Sequence, residues 1–288
     1  MCSDGRVTDD HDPDRLRAVA EQLAEEAAAF VRRRRTEVFG ADSPRDAAAS
    51  TRTKSTPTDP VTIVDTETER LLRERLAELR PGDPIVGEEE GGSAVGHHGQ
   101  PTWVLDPIDG TVNFLYGIEA YAVSVGVQID GRSVAGAVAN VPTGEIFSAA
   151  RGAGSHLRRD GASTRLRCNQ VDDLSMALVG TGFGYAPERR VQQAEVLTRL
   201  IPGVRDVRRV GSCALDLCMV AAGRLDAYYE LGVNVWDWAA GALIAEEAGA
   251  KMILPPVVDE AGEGGLIVAA APGVAQQFEE ALRGAGAF

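Results

Sequence analysis

Residues 103–114 read WVLDPIDGTVNF, and the interpretation of the whole chain starts from this stretch. Its apolar beginning is typical of a β-strand, and the strand delivers Asp106 at its end. A turn follows, because Pro107 fixes its backbone angle and Gly110 adopts conformations that other residues avoid. Such a turn aims two carboxylates, Asp106 and Asp109, at one point. We therefore expect a strand, a tight turn and a polar site, in that order.

The same turn is predicted to open a short helix at Gly110 and Thr111. Free backbone N–H groups at a helix start attract anions, and the carbonyl of Ile108 adds an oxygen beside the carboxylates. Carboxylates next to free amides suit a pocket that metal ions and a phosphate share. An acidic surface turn is the alternative interpretation. An EF-hand starting at Asp106 is excluded, because the chain lacks the required acids at loop positions 3, 5 and 12.

The composition limits the class of protein. The 288 residues include 43 acidic and 29 basic side chains, for a net charge of −14, and 44% are hydrophobic. Such acidity argues against nucleic acid as a direct partner, because those surfaces need clustered Lys and Arg. The four cysteines form no close pair, and no segment resembles a secretion signal or a membrane span. We expect a cytoplasmic protein with no membrane partner.

Three regions follow from the pattern along the chain. Residues 1–12 are polar and expected to be disordered. An α+β lobe is expected over residues 13–160 and carries most candidate metal ligands. An α/β lobe is expected over residues 161–288, where strand-like and helical segments alternate. No low-complexity linker separates the lobes, so we expect one compact unit.

Local signals predict individual elements. A helix is expected from Pro13 to about Phe39. Thr66 and Glu69 resemble a capping box at the start of a second helix. Asp130-Gly131 is a hairpin signal between two β-rich runs. In the second half, strands are predicted at 176–181, 207–210, 225–229, 251–254 and 266–270, and helices at 188–200, 212–222, 238–249 and 274–283.

Four segments carry a recognisable set of motifs. They are Asp59-x-Val61-Thr62-x-x-Asp65, Gly87-Glu88-Glu89, Asp106-Pro107-Ile108-Asp109-Gly110-Thr111 and Trp236-Asp237-x-Ala239-Ala240-Gly241. In this order they resemble the motifs of the inositol monophosphatase family, most closely its bacterial SuhB-type branch. The resemblance runs from about residue 14 to residue 285. It implies a layered αβαβα sandwich, an α/β fold, in a Mg²⁺-dependent phosphomonoesterase that forms a homodimer.

The resemblance also implies a role for each site residue. The implied metal ligands are Glu88, Asp106, the Ile108 carbonyl, Asp109 and Asp237. Two to three Mg²⁺ ions are expected per site, with Asp106 bridging two of them, and Mn²⁺ fits the same ligands. The implied catalytic residues are Glu88, Asp65 and Thr111, the last two orienting the attacking water. The implied substrate contacts are Asp109, Gly110, Thr111, Ser212, Cys213, Glu230 and Asp237.

Electrostatics supports the metal ligands independently. Four carboxylates gathered at about 5 Å repel one another by roughly 20 kcal/mol in total at an effective dielectric constant of about 20. Divalent cations remove that repulsion. Oxygen ligands without His or Cys favour Mg²⁺ or Mn²⁺ over Zn²⁺.

The function implied by the resemblance is lithium-sensitive hydrolysis of myo-inositol 1-phosphate by metal-activated water, giving inositol and phosphate. Two alternatives remain open: a related sugar, histidinol or nucleotide phosphomonoesterase, and a non-catalytic regulatory role with the transcription machinery. Lys54 falls in what resembles the family's mobile active-site loop. Arg205, Arg208 and Arg209 either steer an anionic substrate or lie at a dimer contact.

Overall fold

The computed structural model of the chain describes residues 11–40, 51–53, 60–92, 98–255 and 265–288. Its helices are α1 (Pro13–Phe39), α2 (Ile63–Leu79), α3 (Thr111–Tyr116), α4 (Pro187–Leu200), α5 (Cys213–Ala221), α6 (Val235–Glu247) and α7 (Ala275–Ala285). Most of the expected disordered stretch (residues 1–10), Lys54 and Asp59 lie outside the described residues.

The strands fall into the first and second halves of the chain. In the first half they are β1 (Thr51–Thr53), β2 (Pro60–Thr62), β3 (Ile85–Gly87), β4 (Pro101–Asp109), β5 (Ala122–Ile129), β6 (Arg132–Asn140), β7 (Ile146–Ala150), β8 (Gly154–Arg159) and β9 (Ala162–Arg165). In the second half they are β10 (Leu178–Thr181), β11 (Asp206–Arg208), β12 (Ala227–Val233), β13 (Lys251–Ile253) and β14 (Gly265–Ala270). The strands and helices predicted for the second half are present within a few residues of their expected ends.

Two large sheets organise these strands. The first has seven strands in the order β3-β4-β5-β6-β7-β8-β9, antiparallel except for the β3–β4 pair. The second has five strands in the order β11-β10-β12-β14-β13, where β10 runs parallel to β11 and β12. In that sheet β14 runs antiparallel to both of its neighbours. The short strands β1 and β2 pair with each other.

Helices cover the faces of both sheets and complete five layers. The first layer, α1 and α2, packs on the seven-stranded sheet. Helices α5 and α6 fill the space between the two sheets. Helices α4 and α7 cover the outer face of the five-stranded sheet. The αβαβα sandwich expected from the sequence is confirmed, whereas the boundary between the two lobes stays a prediction.

The first helix forms where the sequence predicts it. Asp12 caps α1, because its side chain accepts hydrogen bonds from the backbone of Asp14 and Arg15 at 3.0 and 3.2 Å. Pro13 follows at the first helical position, where its missing N–H costs nothing. The buried stripe of α1 faces the first sheet. No helix in the described ranges combines the length and apolar character that a membrane span requires.

The capping box predicted for the second helix is wrong. Helix α2 begins earlier, and its box is formed by Thr62 and Asp65 rather than by Thr66 and Glu69. The backbone N–H of Thr62 donates to Asp65 Oδ2 at 3.0 Å. The helix is capped by Thr62 rather than by Thr66, because Val64 and Asp65 already belong to its buried face. Asp65 and Glu69 are thereby both buried within the fold.

Two Asp-Gly pairs make hairpins in the first sheet. Asp130 and Gly131 join β5 to β6 with φ values of 50° and 75°, which confirms the predicted turn. Asp160 and Gly161 join β8 to β9 in the same way, with φ values of 50° and 78°. The sequence pattern did not predict β8 and β9. Every residue of β9 is exposed, so the strand lacks the alternation of apolar and polar residues that predicts a half-buried strand.

Glycines bring α6 close to the seven-stranded sheet. A Cβ on Gly126 of β5 would lie 2.8 Å from the Cβ of Ala239, and a Cβ on Gly136 of β6 would lie 2.9 Å from the Cα of Ala240. Real Cβ atoms do not approach so closely, so this helix position requires glycine on both strands. The first turn of α6, which carries Asp237, is thereby held near β4.

Replacement of Gly136 by Ala tests this packing. The added methyl group meets backbone and Ala240, and overpacking of this kind costs about 1–3 kcal/mol of unfolding free energy. The matched control is Gly284→Ala in α7, where a Cβ meets nothing within 4 Å and where alanine favours the helix. Denaturant unfolding measures both variants. A Gly136→Ala protein as stable as the wild type would contradict the close packing of α6.

Candidate active site

The irregular end of β4 brings two predicted carboxylates to one pocket. The turn expected directly after Asp106 is wrong, because the strand continues to Asp109 and the turn begins at Gly110. The pairing of β4 with β5 shifts between Asp106 and Asp109, and this irregularity breaks the strict alternation of side chains along a strand. Asp106 is buried, and its Oδ1 accepts the backbone N–H of Ile108 at 3.0 Å. Asp109 Oδ2 accepts the Ser212 hydroxyl at 2.6 Å and the Ala214 N–H at 2.7 Å. Each carboxylate is therefore fixed by donors within the fold.

Asp65 is joined to the same turn through Thr111. The Thr111 hydroxyl oxygen lies 3.1 Å from Asp65 Oδ1 and 3.0 Å from the Ile108 carbonyl oxygen. Asp65 is fully buried at the start of α2, whereas Thr111 lines the pocket. The capping box of α2 and the first residue of α3 therefore meet in one hydrogen-bonded group.

Glu69 holds the loop that carries Glu88, although the sequence predicted this residue in a capping box. Glu69 is fully buried, and its two carboxylate oxygens accept the backbone N–H groups of Glu89 at 2.7 Å and Glu90 at 3.0 Å. Arg73 Nε donates to the same carboxylate at 2.9 Å. Glu69 therefore fixes the chain immediately after Glu88. No motif reveals this role, because it depends on the packing of α2 against β3.

Asp237 enters from the C-terminal half of the chain. Its Oδ2 accepts the backbone N–H of Asn234 at 2.6 Å, and the two residues form a capping box at the start of α6. This bond and the close packing of α6 fix the side chain at the pocket wall.

These elements enclose a cavity of about 530 Å³, a size typical of small-molecule sites. Its lining includes these residues predicted from the sequence: Glu88, Asp106, Ile108, Asp109, Gly110, Thr111, Cys213, Glu230 and Asp237. Asp65 and Ser212 lie behind the wall, in contact with Thr111 and Asp109 respectively. The structure therefore brings together residues that are far apart in the sequence.

Further lining residues were not among the predicted site residues. They are Phe183, Gly184, Tyr185, Ala186, Arg189, Arg209, Gly211, Gly232, Val233, Asn234 and Trp236. The three arginines left open by the sequence separate here. Arg209 lines the pocket, Arg208 pairs with Asp206 at 2.5 Å, and Arg205 contacts the sulfur of Met176 at 3.7 Å.

Glu230 is positioned by two of its neighbours. The Tyr228 hydroxyl donates to Glu230 Oε2 at 2.5 Å. The same oxygen lies against Gly182, where a Cβ would stand 1.9 Å from Oε2. Burial raises the pKa of Glu230, while the Tyr228 hydrogen bond and the positive charge of Arg209 act in the opposite direction.

Burial and like charge dominate the electrostatics of the site. Burial raises the pKa of Asp109 to about 7, and the charges of Glu230 and Glu88 add to that rise. The hydrogen bonds that Asp109 accepts act in the opposite direction. Burial also raises the pKa of Asp237 well above its usual range, with the charges of Glu88 and Asp109 as further causes. The pocket therefore favours a positive charge beside these carboxylates.

The donor chemistry of the pocket fits a hard divalent cation. Carboxylate oxygens and the Ile108 carbonyl face one cavity, and Mg²⁺ and Mn²⁺ prefer such ligands. In the described part of the chain, no three Asp, Glu, His or Cys side chains stand close enough together to hold a metal ion. The pocket therefore matches a divalent cation in the type and charge of its donor atoms, and the described side chains do not form a preassembled coordination sphere.

Comparison with known proteins agrees with this site. The profile of the inositol monophosphatase family matches residues 12–283. The chain belongs to the inositol monophosphatase family. It is therefore identified as a phosphatase. Its similarity extends over nearly the whole chain, including every element that forms the pocket.

Individual relatives of this phosphatase give the same result. The inositol-1-monophosphatase of Mycobacterium leprae is 63% identical over 277 residues, 95% of each chain. The solved structure of Mycobacterium tuberculosis SuhB superimposes with a TM-score of 0.81 at 57% identity, covering 96% of this chain and 98% of that chain. A protein of Vibrio cholerae named Nus factor SuhB is 39% identical over 220 residues, 74% of this chain and 79% of its own.

Replacement of Glu69 by Gln tests how this phosphatase holds Glu88. The side-chain amide turns an N–H group towards one of the two backbone donors, so one hydrogen bond is lost. Loss of a hydrogen bond to a charged group costs about 1–3 kcal/mol. We expect faster amide hydrogen exchange at residues 88–90 and a matching fall in the free energy of unfolding.

The control for this variant is Glu67→Gln. Glu67 lies on the same helix but pairs with Arg34 at 2.8 Å, away from the loop. Unchanged amide exchange at residues 88–90 in Glu69→Gln, or equal acceleration in Glu67→Gln, contradicts the assigned role of Glu69.

Proposed function

We propose that this phosphatase hydrolyses myo-inositol 1-phosphate in the presence of Mg²⁺, giving inositol and inorganic phosphate. In the reaction the oxygen of water bonds to phosphorus, and the bond between phosphorus and the ester oxygen breaks. One observation carries the proposal: carboxylates, a backbone carbonyl and the Gly110–Thr111 turn line one cavity together with Glu230. The names of the mycobacterial relatives support this substrate.

The metal ligands in this proposal come from both halves of the chain. One ion would be held by Glu88, Asp106 and the Ile108 carbonyl, and another by Asp106, Asp109 and Asp237. Glu88 would share a third, weaker ion. When bound, such ions stabilise the negative charge of the phosphoryl group and of the leaving oxygen. The raised pKa values of Asp109 and Asp237 support cation binding at these residues.

Asp65 and Thr111 orient the attacking water in the proposed mechanism. The Thr111 hydroxyl donates a hydrogen bond to Asp65 Oδ1. A lone pair of the Thr111 oxygen therefore stays available to accept a hydrogen bond from water. The oxygen of that water then faces the phosphorus atom. Burial of Asp65 keeps the pair rigid and away from competing solvent.

The phosphate and the polyol are held by different parts of the pocket. The backbone N–H groups of Gly110 and Thr111 donate to phosphate oxygens. Gly110 is required there, because its φ is 95° and a Cβ would lie 3.0 Å from the Ala120 carbonyl oxygen. Glu230 accepts hydrogen bonds from hydroxyl groups of the polyol beside Cys213. Ser212 acts through the hydrogen bond that fixes Asp109.

The proposal includes a cytoplasmic homodimer that Li⁺ inhibits by competing with a metal ion. These features follow from the family resemblance. The described cysteines, Cys168, Cys213 and Cys218, are free and buried, which supports a reducing compartment.

A second candidate function is a regulatory role as a Nus factor, favoured by the similarity to the Vibrio cholerae protein of that name. The phosphatase function is preferred, because the carboxylates of the family motifs line one pocket. A cellular role that survives Asp109→Asn would support the second candidate instead.

Phosphate release tests the proposed function directly. Four substrates are compared with and without Mg²⁺: myo-inositol 1-phosphate, histidinol phosphate, fructose 1,6-bisphosphate and 3′-phosphoadenosine 5′-phosphate. We expect Mg²⁺-dependent release, most efficient with myo-inositol 1-phosphate. Asp109→Asn and Asp237→Asn each remove a charge that holds a cation, so each lowers kcat at least about 100-fold.

The matched control is Asp130→Asn. Asp130 lies in a surface hairpin outside the pocket and adopts a left-handed conformation that asparagine tolerates. Release that is independent of Mg²⁺ contradicts the proposed chemistry. Full activity of Asp109→Asn or Asp237→Asn contradicts the assigned ligands.

A further inference from the structure

Asn113 joins three segments that meet beside the pocket. It is the third residue of α3, it is buried, and the proposed hydrolysis gives it no role. Its side-chain Nδ2 donates to the backbone carbonyl oxygen of Ala120 at 2.7 Å and to that of Val210 at 2.9 Å. A side-chain amide has two N–H donors, so both of them are used. We call these two hydrogen bonds the Asn113 bridge.

The two acceptors of the bridge belong to distant parts of the chain. Ala120 lies between α3 and β5, whereas Val210 lies between β11 and α5, in the second half of the chain. In the fold these segments are adjacent. A Cβ on Gly110 would lie 3.0 Å from the Ala120 carbonyl oxygen and 3.1 Å from that of Gly211. The Asn113 bridge therefore ties α3 to both halves of the chain.

One end of the bridge holds the turn that is proposed to bind phosphate. Helix α3 has only six residues and begins directly after Gly110, whose carbonyl oxygen accepts the N–H of Phe114 at 3.0 Å. A helix this short forms only with support from the surrounding fold. The Asn113 bridge supplies part of that support. It therefore fixes the direction in which the N–H groups of Gly110 and Thr111 point.

The other end of the bridge holds the segment that positions Asp109. Ser212 lies just after Val210 and Gly211, and its hydroxyl donates to Asp109 Oδ2 at 2.6 Å. Gly211 packs against the bridge itself, because a Cβ there would lie 2.9 Å from Asn113 Nδ2. The chain from Asp109 to Asn113, the bridge and the Ser212 hydrogen bond therefore form a closed ring. This ring limits how far the proposed metal ligand and the proposed phosphate donors can move apart.

We propose that Asn113 is a positioning residue for the reaction, which aligns the phosphate-binding turn with Asp109 across the two halves of the chain. This inference rests on the proposed function. Asn113 contacts neither the substrate nor a metal ion in the proposed mechanism, so it acts through Gly110, Thr111 and Ser212. A small misplacement of reacting groups costs a large factor in rate. Loss of the bridge therefore lowers kcat, although Asn113 is buried outside the pocket.

Asn113→Leu tests the bridge, because leucine resembles asparagine in size and shape but donates no hydrogen bond. With myo-inositol 1-phosphate and saturating Mg²⁺, we expect kcat to fall about 10- to 100-fold. We also expect inorganic phosphate to inhibit the variant about tenfold more weakly than it inhibits the wild type. Loss of folded protein alone would lower the apparent kcat without changing the inhibition constant for phosphate.

The matched control is Asn169→Leu. Asn169 Nδ2 also donates twice, to the Gly223 carbonyl oxygen and to Asp226 Oδ1, each at 2.8 Å. Neither Asn169 nor its two acceptors are among the described residues that line the pocket. We expect wild-type values of kcat and of the phosphate inhibition constant in this variant.

Two further measurements keep the test independent of folding and of turnover. Asn113→Ser, which keeps one short donor, is measured in parallel, and changes in the same direction are expected. Thermal unfolding establishes that each variant is folded. Amide hydrogen exchange reports on the bridge without substrate. We expect faster exchange at residues 110–114 and at residues 211–215 in both Asn113 variants, and at neither segment in Asn169→Leu.

The outcomes distinguish this inference from the proposed function. A folded Asn113 variant with the wild-type phosphate inhibition constant overturns the inference, and so does faster exchange at only one of the two segments. An equal effect in Asn169→Leu also overturns it. A wild type that releases no phosphate from any of the four phosphate esters overturns the proposed function itself, and the exchange measurement then decides whether the bridge joins the two segments.

Discussion

The contact between α6 and the seven-stranded sheet is the constraint on which the site depends. Gly126 and Gly136 let Ala239 and Ala240 approach to distances that no other residue would allow. The helix therefore packs between the two sheets, and its first turn lines the same cavity as the end of β4. Asp237 stands on that turn, so a carboxylate of the second half of the chain joins those of the first. With larger residues than glycine on β5 and β6, α6 would lie farther from the sheet. Asp237 would then stand apart from the carboxylates of β4 with which it is proposed to bind metal.

Charge repulsion is the cost of that arrangement. Burial raises the pKa values of Asp109 and Asp237, and the charges of neighbouring carboxylates add to that rise. The fold offsets part of this cost with hydrogen bonds from Ser212, Ala214 and Asn234. The remaining repulsion is what a divalent cation relieves. The architecture and the electrostatics therefore lead to the same proposal, a site that becomes favourable when metal ions bind.

Local sequence signals predicted much of the fold, because they act over a few residues. The Asp12-Pro13 helix start and the Asp130-Gly131 hairpin are examples. The turn expected after Asp106 was wrong, because pairing with β5 keeps the chain in β4 up to Asp109. The start of α2 was misassigned, because two similar capping patterns stand four residues apart and the buried face of the helix decides between them. The family resemblance predicted nine of the twenty residues that line the pocket, including all five of its carboxylates. Glu69 was assigned to the wrong capping box, because its role arises only where α2 meets the turn after β3.

The central claim is that carboxylates from both halves of the chain bind Mg²⁺ together. Calorimetric titration of Mg²⁺ into chelator-treated wild type and Asp237→Asn protein tests this claim without any substrate. We expect saturable binding to the wild type and an affinity at least about tenfold lower in the variant, as is usual when a ligand shell loses a member. Equal Mg²⁺ affinity in the two proteins, or no binding to the wild type, would contradict the account.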